Sequence, residues 1–134
     1  MNTTPARKRI LIAAAAALAA ALLLLLLRLA SGMTAGEAVR KLSGLRMALE
    51  LYRMEYKAPP AAFGDLVRSG KLEQPPELKL SWHRGSSAVR NTPSMTITDT
   101  GGWAYVNDPK DPAFGLIYID CTHRDERGRF WSEF

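Results

Sequence analysis

The chain has 134 residues, of which 47% are hydrophobic and 23% are charged, and its formal net charge is +5. Four of its 18 Lys and Arg residues flank one apolar run near the amino terminus, and these are Arg7, Lys8, Arg9 and Arg28. The other 14 nearly balance the 13 Asp and Glu residues. Nucleic-acid binding needs a basic patch interleaved with aromatic side chains, so this distribution of charge argues against a nucleic-acid partner.

The apolar run covers Ile10–Leu27 and contains only Ile, Leu and Ala. At about 1.5 Å per helical residue it reaches roughly 27 Å, close to the hydrocarbon thickness of a bilayer. Ala and Leu favour the helix, in which the backbone satisfies its own hydrogen bonds within lipid. We predict a basic cytoplasmic flank at residues 1–9, a transmembrane helix at residues 10–27 and an extracytoplasmic domain at residues 28–134.

The basic residues at 7–9 set the predicted orientation. By the positive-inside tendency, the amino terminus stays in the cytoplasm and the domain lies on the periplasmic side of the inner membrane. Arg28, Arg40 and Lys41 on the other side reduce this asymmetry. The single cysteine, Cys121, cannot form an intramolecular disulfide, so the domain must be stable without one.

A cleaved signal peptide is the alternative to a retained anchor. The run is longer than the usual apolar region of about 7–15 residues in a signal peptide, which favours an anchor. Ala30, Ser31 and Gly32 nevertheless offer small residues at which a signal peptidase could cut. We expect retention, and cleavage stays open.

A second helix is predicted to begin at Thr34, which forms the T-x-x-E pattern of a capping box with Glu37. Apolar and aromatic residues then recur every three or four positions, as on one face of an amphipathic helix: Val39, Leu42, Leu45, Leu49, Tyr52 and Tyr56. Pro59 and Pro60 end this helix. Gly32 and Gly36 either mark a kink or lie within one long helix.

Beyond the prolines, a short helix is predicted at Ala61–Ser69 and a polar loop at His83–Pro93. Alternating or aliphatic segments predict strands at Leu78–Trp82, Trp103–Val106, Phe114–Ile119 and Phe130–Phe134. Met95 and Ile97 also alternate with threonines. Helices followed by consecutive strands indicate an α+β fold, in which a small antiparallel sheet packs on the long helix.

Two segments of the chain resemble one family. The segment Leu45–Leu72 carries Tyr56 and Pro59 between its helices, and Gly101–Asp120 begins with Gly-Gly-Trp-x-Tyr. Together with the apolar helix that precedes them, they resemble the type IV pilin-like proteins, and among these the pseudopilins of type II secretion. The resemblance implies a long helix, half transmembrane and half amphipathic, packed on a sheet, and a role in assembly.

The chain departs from this family at the start of the apolar run. The prepilin signature is a glycine, an aromatic residue and Thr-Leu-x-Glu, and neither its glycine nor its glutamate is present. The glycine supplies the processing site, and the glutamate neutralises a neighbouring amino terminus in lipid, where an unpaired charge is costly. We therefore expect an uncleaved single-pass protein that docks through its domain, or a divergent minor subunit.

Two groups of residues are candidate catalytic or ligand-binding sites. Cys121 and His123 share a strand face and offer a thiol and a base, but no third orienting group is evident, and we predict no enzyme activity. Trp82, Trp103 and Trp131 could form an aromatic platform, although such residues more often fill the core of a small domain.

Metal binding is considered for the acidic turns. Asp108, Asp111 and Asp120 offer oxygen ligands for calcium, which some pseudopilins carry in a C-terminal loop, but Ca²⁺ needs six or more oxygens. His83 and His123 with one cysteine are too few for a four-ligand zinc site. We predict no cofactor, with calcium left open.

The predicted function is that of a membrane-anchored, pilin-like structural subunit of a type II secretion or type IV pilus machine. Its predicted partners are other pilin-like subunits and inner-membrane assembly components, with no small-molecule substrate. The alternative is an unrelated single-pass or secreted envelope domain that recognises a ligand through its tryptophans.

Overall fold

The computed structural model describes residues 5–134, so residues 1–4 of the predicted basic flank lie outside the described part. The first helix, α1, covers Pro5–Ala30 and includes the whole apolar run. It is long and apolar enough to cross a membrane, and none of its apolar window is buried against the rest of the described chain.

The second helix, α2, covers Ala35–Tyr56 and is separate from α1. The capping box is confirmed: Glu37 N donates to Thr34 Oγ1 at 3.3 Å, and Thr34 N donates to Glu37 Oε2 at 3.0 Å. Thr34 has an extended backbone conformation, and Met33 N donates to Lys79 O at 2.7 Å. One uninterrupted long helix is therefore not formed, because the backbone leaves the helix before Thr34 begins a new one.

One face of α2 packs against the sheet. Its buried residues are Ala35, Ala38, Leu42, Leu45, Ala48 and Leu49. Val39 and Tyr56, which the sequence placed on this face, are exposed instead. The helix ends where Lys57 adopts a left-handed conformation and donates its N–H to Arg53 O.

The sheet has three strands in the order β1-β2-β3. They are β1 at Val89–Thr92, β2 at Trp103–Val106 and β3 at Ile117–Ile119. The pair β1·β2 is parallel and the pair β2·β3 is antiparallel. The α+β class is thus confirmed, and the prediction of an antiparallel sheet is wrong, as is the prediction that the whole of 83–93 is a loop.

The parallel pairing follows from the path of segment 93–102. Parallel neighbours require the chain to cross back to the starting end of the first strand, and Val89 here lies beside Trp103. The Tyr118 hydroxyl donates to a backbone carbonyl of this segment, and Asp120 Oδ1 accepts from two of its backbone amides. Side-chain anchors distant in sequence hold the return path, so a local pattern does not reveal it.

Leu78–Trp82 does not form the predicted strand. Leu78 and Leu80 are buried in the core as the alternation requires, but within residues 5–134 the one β-bridge of this segment joins Leu78 and Ser86. Trp82 has a φ of 69°, which ends the extended conformation.

The predicted short helix and the last two predicted strands differ from the structure in length or in type. The short helix, α3, covers Gly64–Arg68 within the predicted range. Phe114 lies in a turn, so β3 begins only at Ile117. Phe130–Phe134 is a 3₁₀ turn at Trp131–Glu133 rather than a strand, because Glu133 N donates to Phe130 O at 3.1 Å and closes a local turn.

Candidate metal centre

Four potential metal ligands from three separate segments converge beside the end of β3. They are His83, Asp99, Cys121 and His123, and one ligand atom from each lies within 4.8 Å of every other. It is the one such group of His, Cys, Asp and Glu side chains found among residues 5–134. We therefore treat it as the candidate functional site.

Cys121 and His123 reach the site because they directly follow β3. Cys121 is buried and His123 is half-buried. The backbone holds both positions: Cys121 N donates to Ile119 O at 3.1 Å, and Trp131 N donates to His123 O at 3.2 Å. The sequence placed these two residues on one strand face, but β3 ends at Ile119 and neither lies in a strand. Cys121 Sγ and His123 Nδ1 are nevertheless 3.5 Å apart.

His83 enters from the turn after Leu80, where its N–H donates to Leu80 O at 3.2 Å. Its ring packs directly on the backbone of Gly101. A Cβ at Gly101 would lie 2.4 Å from Cγ of His83, and Gly101 also has a φ of +72°. Only glycine meets both requirements, so the Gly-Gly turn before β2 makes room for this imidazole.

Asp99 completes the group from the loop before β2. It adopts a left-handed conformation with φ of 60°, which Asp tolerates better than most residues. Thr122 N donates to Asp99 Oδ1 at 2.8 Å, and this hydrogen bond aims the carboxylate at the imidazoles. Asp99 N in turn donates to the buried Asp120 Oδ1 at 3.2 Å.

The contacts within the group are short and mutual. His83 Nε2 lies 3.1 Å from His123 Nδ1, and Asp99 Oδ1 lies 3.3 Å and 3.5 Å from these two atoms. Cys121 Sγ lies 3.3 Å from His83 Nε2. Four atoms with lone pairs therefore surround a common point.

Burial and the neighbouring groups shift the pKa values of Asp99 and Cys121 in opposite directions. Burial acts to raise the pKa of the Asp99 carboxyl, but hydrogen bonds from Thr122 and the adjacent His83 and His123 outweigh it, so the pKa is lowered. Burial raises the pKa of the Cys121 thiol to about 11, despite a hydrogen bond from the His123 backbone. A nucleophilic cysteine needs the opposite, a lowered pKa and access to solvent, so this environment does not favour covalent catalysis by Cys121.

Comparisons with protein-family models, curated proteins and solved structures find no match. The resemblance to pilin-like proteins therefore stays a prediction that depends on the residues alone. The site is likewise interpreted from its own geometry.

The other candidate sites from the sequence are not assembled in the described residues. Asp108 and Asp111 accept hydrogen bonds from the backbone of their own turns. Asp120 is fully buried, and its carboxylate accepts hydrogen bonds from Thr98 and Arg90 among others. These three aspartates do not form a metal-binding group within residues 5–134.

The three tryptophans do not form a platform either. Trp103 and Trp131 are buried in the core, and Trp103 Nε1 donates to Pro76 O at 2.8 Å. Trp82 alone is exposed. This arrangement removes the sequence feature on which the ligand-binding alternative depended.

Sequence reasoning counted His83, His123 and Cys121 as three ligands and missed Asp99. The available signal was weak: Asp99 lies in a Thr-Asp-Thr-Gly-Gly turn, 22 residues before Cys121 in sequence. Only the return path of segment 93–102 brings its carboxylate to the end of β3.

Proposed function

We propose that this chain is a membrane-anchored, pilin-like subunit with a structural role in an envelope secretion or pilus assembly. In this proposal α1 anchors the chain in the inner membrane with its amino terminus in the cytoplasm, and the domain is periplasmic. The observation that carries the proposal is the apolar surface on both helices that the chain's own domain leaves uncovered.

The first uncovered surface is α1 itself. All side chains of Ile10–Leu27 are exposed, and none is polar. Burying apolar area contributes roughly 25 cal/mol per Å² to stability. An apolar surface of this size is therefore stable only in lipid or against other apolar helices. A run without polar groups also offers no ion pathway or ligand site.

The second uncovered surface is the outer face of α2. Met47, Leu51 and Met54 follow the spacing of one helical stripe, and they are 67%, 47% and 63% exposed. The stripe lies on the opposite side of α2 from the residues that pack on the sheet, such as Leu42 and Leu45. A helix that is apolar on two sides usually contacts a partner on each.

We assign this outer stripe to a helix of another pilin-like subunit. The spacing at 47, 51 and 54 presents a ridge of side chains of the kind that packs into the groove of a facing helix. Lateral packing of helices thus provides the assembly interface, and the sheet and its loops remain available to other partners.

The apolar run lacks the glycine and the glutamate of the prepilin signature, and the proposal takes this into account. Without a prepilin processing site the basic residues at 7–9 remain attached, as a single-pass topology with a cytoplasmic amino terminus requires. Without the glutamate, no side chain in the run is present to pair with a neighbouring amino terminus. The proposed subunit is therefore uncleaved.

The experiment is in vivo photo-crosslinking with the full chain in bacterial membranes. A photoreactive residue replaces Leu51 on the outer stripe, and in a control it replaces the exposed Lys110 on the sheet side. We expect the chain to resist extraction with alkaline carbonate and position 51 to form adducts with pilin-like subunits. Position 110 should not form these adducts.

Two results would contradict the proposal. One is release of the chain into the soluble fraction, or a mature amino terminus at Met33, which would show a secreted domain. The other is the absence of helix adducts at position 51 while the chain is in the membrane.

A double variant is the control for the anchor. Leu18→Arg with Leu22→Arg should reduce membrane insertion, because each arginine costs about 3 kcal/mol at the centre of a membrane helix.

A further inference from the structure

We propose that His83, Asp99, Cys121 and His123 bind one Zn²⁺ ion, and that this ion holds together three segments of the domain. The proposal goes beyond the assembly role, because it concerns a metal site within the domain rather than its anchor or its outer helical face. It depends on the geometry of the four ligand atoms.

The distances between the ligand atoms match those of a tetrahedral site. An ion with bonds of about 2.0–2.3 Å places the ligands at the corners of a tetrahedron whose edges are roughly 3.3–3.6 Å. The five edges that join His83 Nε2 or His123 Nδ1 to each other, to Asp99 Oδ1 and to Cys121 Sγ are between 3.1 Å and 3.5 Å. The sixth edge, between the ligand atoms of Asp99 and Cys121, is at most 4.8 Å. Five of the six edges therefore lie within a few tenths of an ångström of the ideal separations.

A hydrogen-bond network explains these contacts less well. His83 Nε2 faces three of the other atoms at once, and so does His123 Nδ1. A protonated ring nitrogen directs its single N–H at one acceptor, and an unprotonated one has a single lone pair. Convergence of all four atoms on one point is instead the arrangement that a central cation requires.

The types of ligand select the ion. Imidazole nitrogen and thiolate sulfur are ligands for Zn²⁺ and copper, whereas Ca²⁺ and Mg²⁺ prefer oxygen. A tetrahedral set with nitrogen and sulfur is typical of zinc. The single carboxylate of Asp99 is compatible with zinc, and with Cys121 it supplies two negative charges to balance the divalent ion.

Four protein ligands leave no open position, which is the coordination of a structural zinc site rather than a catalytic one. The backbone supports the two anionic ligands: His123 N donates to Cys121 Sγ at 3.3 Å, and Thr122 N donates to Asp99 Oδ1 at 2.8 Å. Hydrogen bonds of this kind orient metal ligands and tune their affinity.

The ion would connect parts of the domain that are distant in sequence. His83 lies in the turn between the bridged residues Leu78 and Ser86, Asp99 precedes β2, and Cys121 follows β3. Binding to the folded state alone stabilises that state. The described domain has one cysteine and therefore no disulfide of its own, so a zinc ion would supply the cross-link that a disulfide provides in other extracytoplasmic domains.

The test uses the full chain in detergent micelles, purified through a tag that contains no histidine, treated with a strong chelator and then dialysed. We expect zinc to bind at one ion per chain. At about 100 times the Kd it should raise the Tm by roughly 10 °C. Replacing zinc with Co²⁺ should give the intense visible absorption of a four-coordinate ion together with a thiolate-to-cobalt charge-transfer band.

The variants are Cys121→Ser and His83→Ala, with Asp108→Asn as the matched control outside the site. We expect each ligand variant to lower the affinity for zinc by more than about 100-fold, which exceeds the effect of changing groups that only support the ligands. The control should bind zinc as the unchanged chain does. Since the chain has only two histidines and one cysteine, a second site of this chemistry is not available.

Three results would overturn the proposal. They are no rise in Tm with zinc, unchanged zinc affinity in both ligand variants, and a Co²⁺ spectrum without a thiolate band. If a ligand variant fails to fold, the Co²⁺ spectrum of the unchanged chain decides the matter by itself. A stabilising effect of Ca²⁺ with none of Zn²⁺ would also overturn it.

Discussion

Arg90 on β1 and Asp120 at the end of β3 form an ion pair in which the carboxylate is fully buried and the guanidinium is partly exposed, with Nη2 and Oδ2 3.3 Å apart. The same carboxylate accepts hydrogen bonds from the hydroxyls of Thr98 and Thr100 at 2.7 Å and 2.8 Å. One aspartate therefore ties both outer strands to the loop that carries Asp99.

We predict that Asp120→Asn destabilises the domain by about 2–4 kcal/mol. The amide nitrogen that replaces one carboxylate oxygen cannot accept the hydrogen bonds which that oxygen now receives, and Arg90 loses its charged partner. Chemical denaturation of the full chain in micelles measures this loss. Asp111→Asn, a substitution of the same kind in a turn, is the control and should cost much less. Equal effects of the two variants would show that Asp120 does not organise the loop.

The close approach of Gly101 and His83 gives a second prediction. Gly101→Ala should destabilise the domain and displace the imidazole, because the new Cβ would lie 2.4 Å from Cγ of His83. Gly128→Ala is the matched control, since Gly128 also has a positive φ of +81° but no neighbouring atom within 4 Å of a Cβ.

Both glycine variants introduce similar backbone strain of about 1 kcal/mol, so the difference between their free energies of unfolding isolates the collision with His83. We expect Gly101→Ala to cost at least about 1–2 kcal/mol more than Gly128→Ala, within the range for overpacking. The NMR signals of the His83 ring should move only in Gly101→Ala. Similar results for the two variants would contradict the described packing.

The buried hydroxyl of Tyr105 gives a third prediction. It donates to Pro60 O at 2.7 Å and thereby connects β2 to the two prolines after α2. Burial raises its pKa, since the phenolate would be desolvated. Tyr105→Phe should cost about 1–2 kcal/mol, because the Pro60 carbonyl would lose its partner in a buried position.

Thermal unfolding of Tyr105→Phe can be compared with that of Tyr56→Phe, which changes a half-exposed ring at the end of α2. The control should shift the Tm very little. If both variants unfold at the temperature of the unchanged chain, the Tyr105 hydrogen bond does not contribute to stability.

The capping box of α2 gives a fourth prediction. Thr34→Ala should destabilise the domain by about 1 kcal/mol, while Thr34→Ser keeps the hydroxyl oxygen and should be close to neutral. The pKa of Glu37 is lowered, first by the hydrogen bond from the Thr34 backbone and then by that from its side chain. Removing the side-chain part should raise this pKa towards its ordinary value.

The sign of the pH effect follows from that shift. A lowered pKa in the folded state means that Glu37 contributes stability above its ordinary pKa and loses this contribution as the pH falls through the lowered value. NMR titration of the Glu37 carboxyl in the unchanged chain and in Thr34→Ala measures the difference. An identical pKa in both would contradict the role assigned to the Thr34 side chain.

The sequence determined the type of three local elements of this protein. An unbroken Ile, Leu and Ala run favours a helix, and Thr34 with Glu37 encodes a helix start, because both signals depend on residues within a few positions of one another. The same holds for Trp103–Val106, whose aromatic and β-branched residues follow a Gly-Gly turn. These predictions of element type are confirmed by α1, α2 and β2.

Only the tertiary structure decided the direction of β1 and brought together the four residues of the candidate metal centre. Val89–Thr92 carries polar residues that read as a loop, and it becomes a strand because β2 supplies its hydrogen bonds. Asp99 reaches His83 and Cys121 because Asp120 holds the returning loop across more than 20 residues of chain. Hydrogen bonds between distant residues leave no periodic signal in the sequence, so the four ligands could be recognised as a group only once the chain was folded.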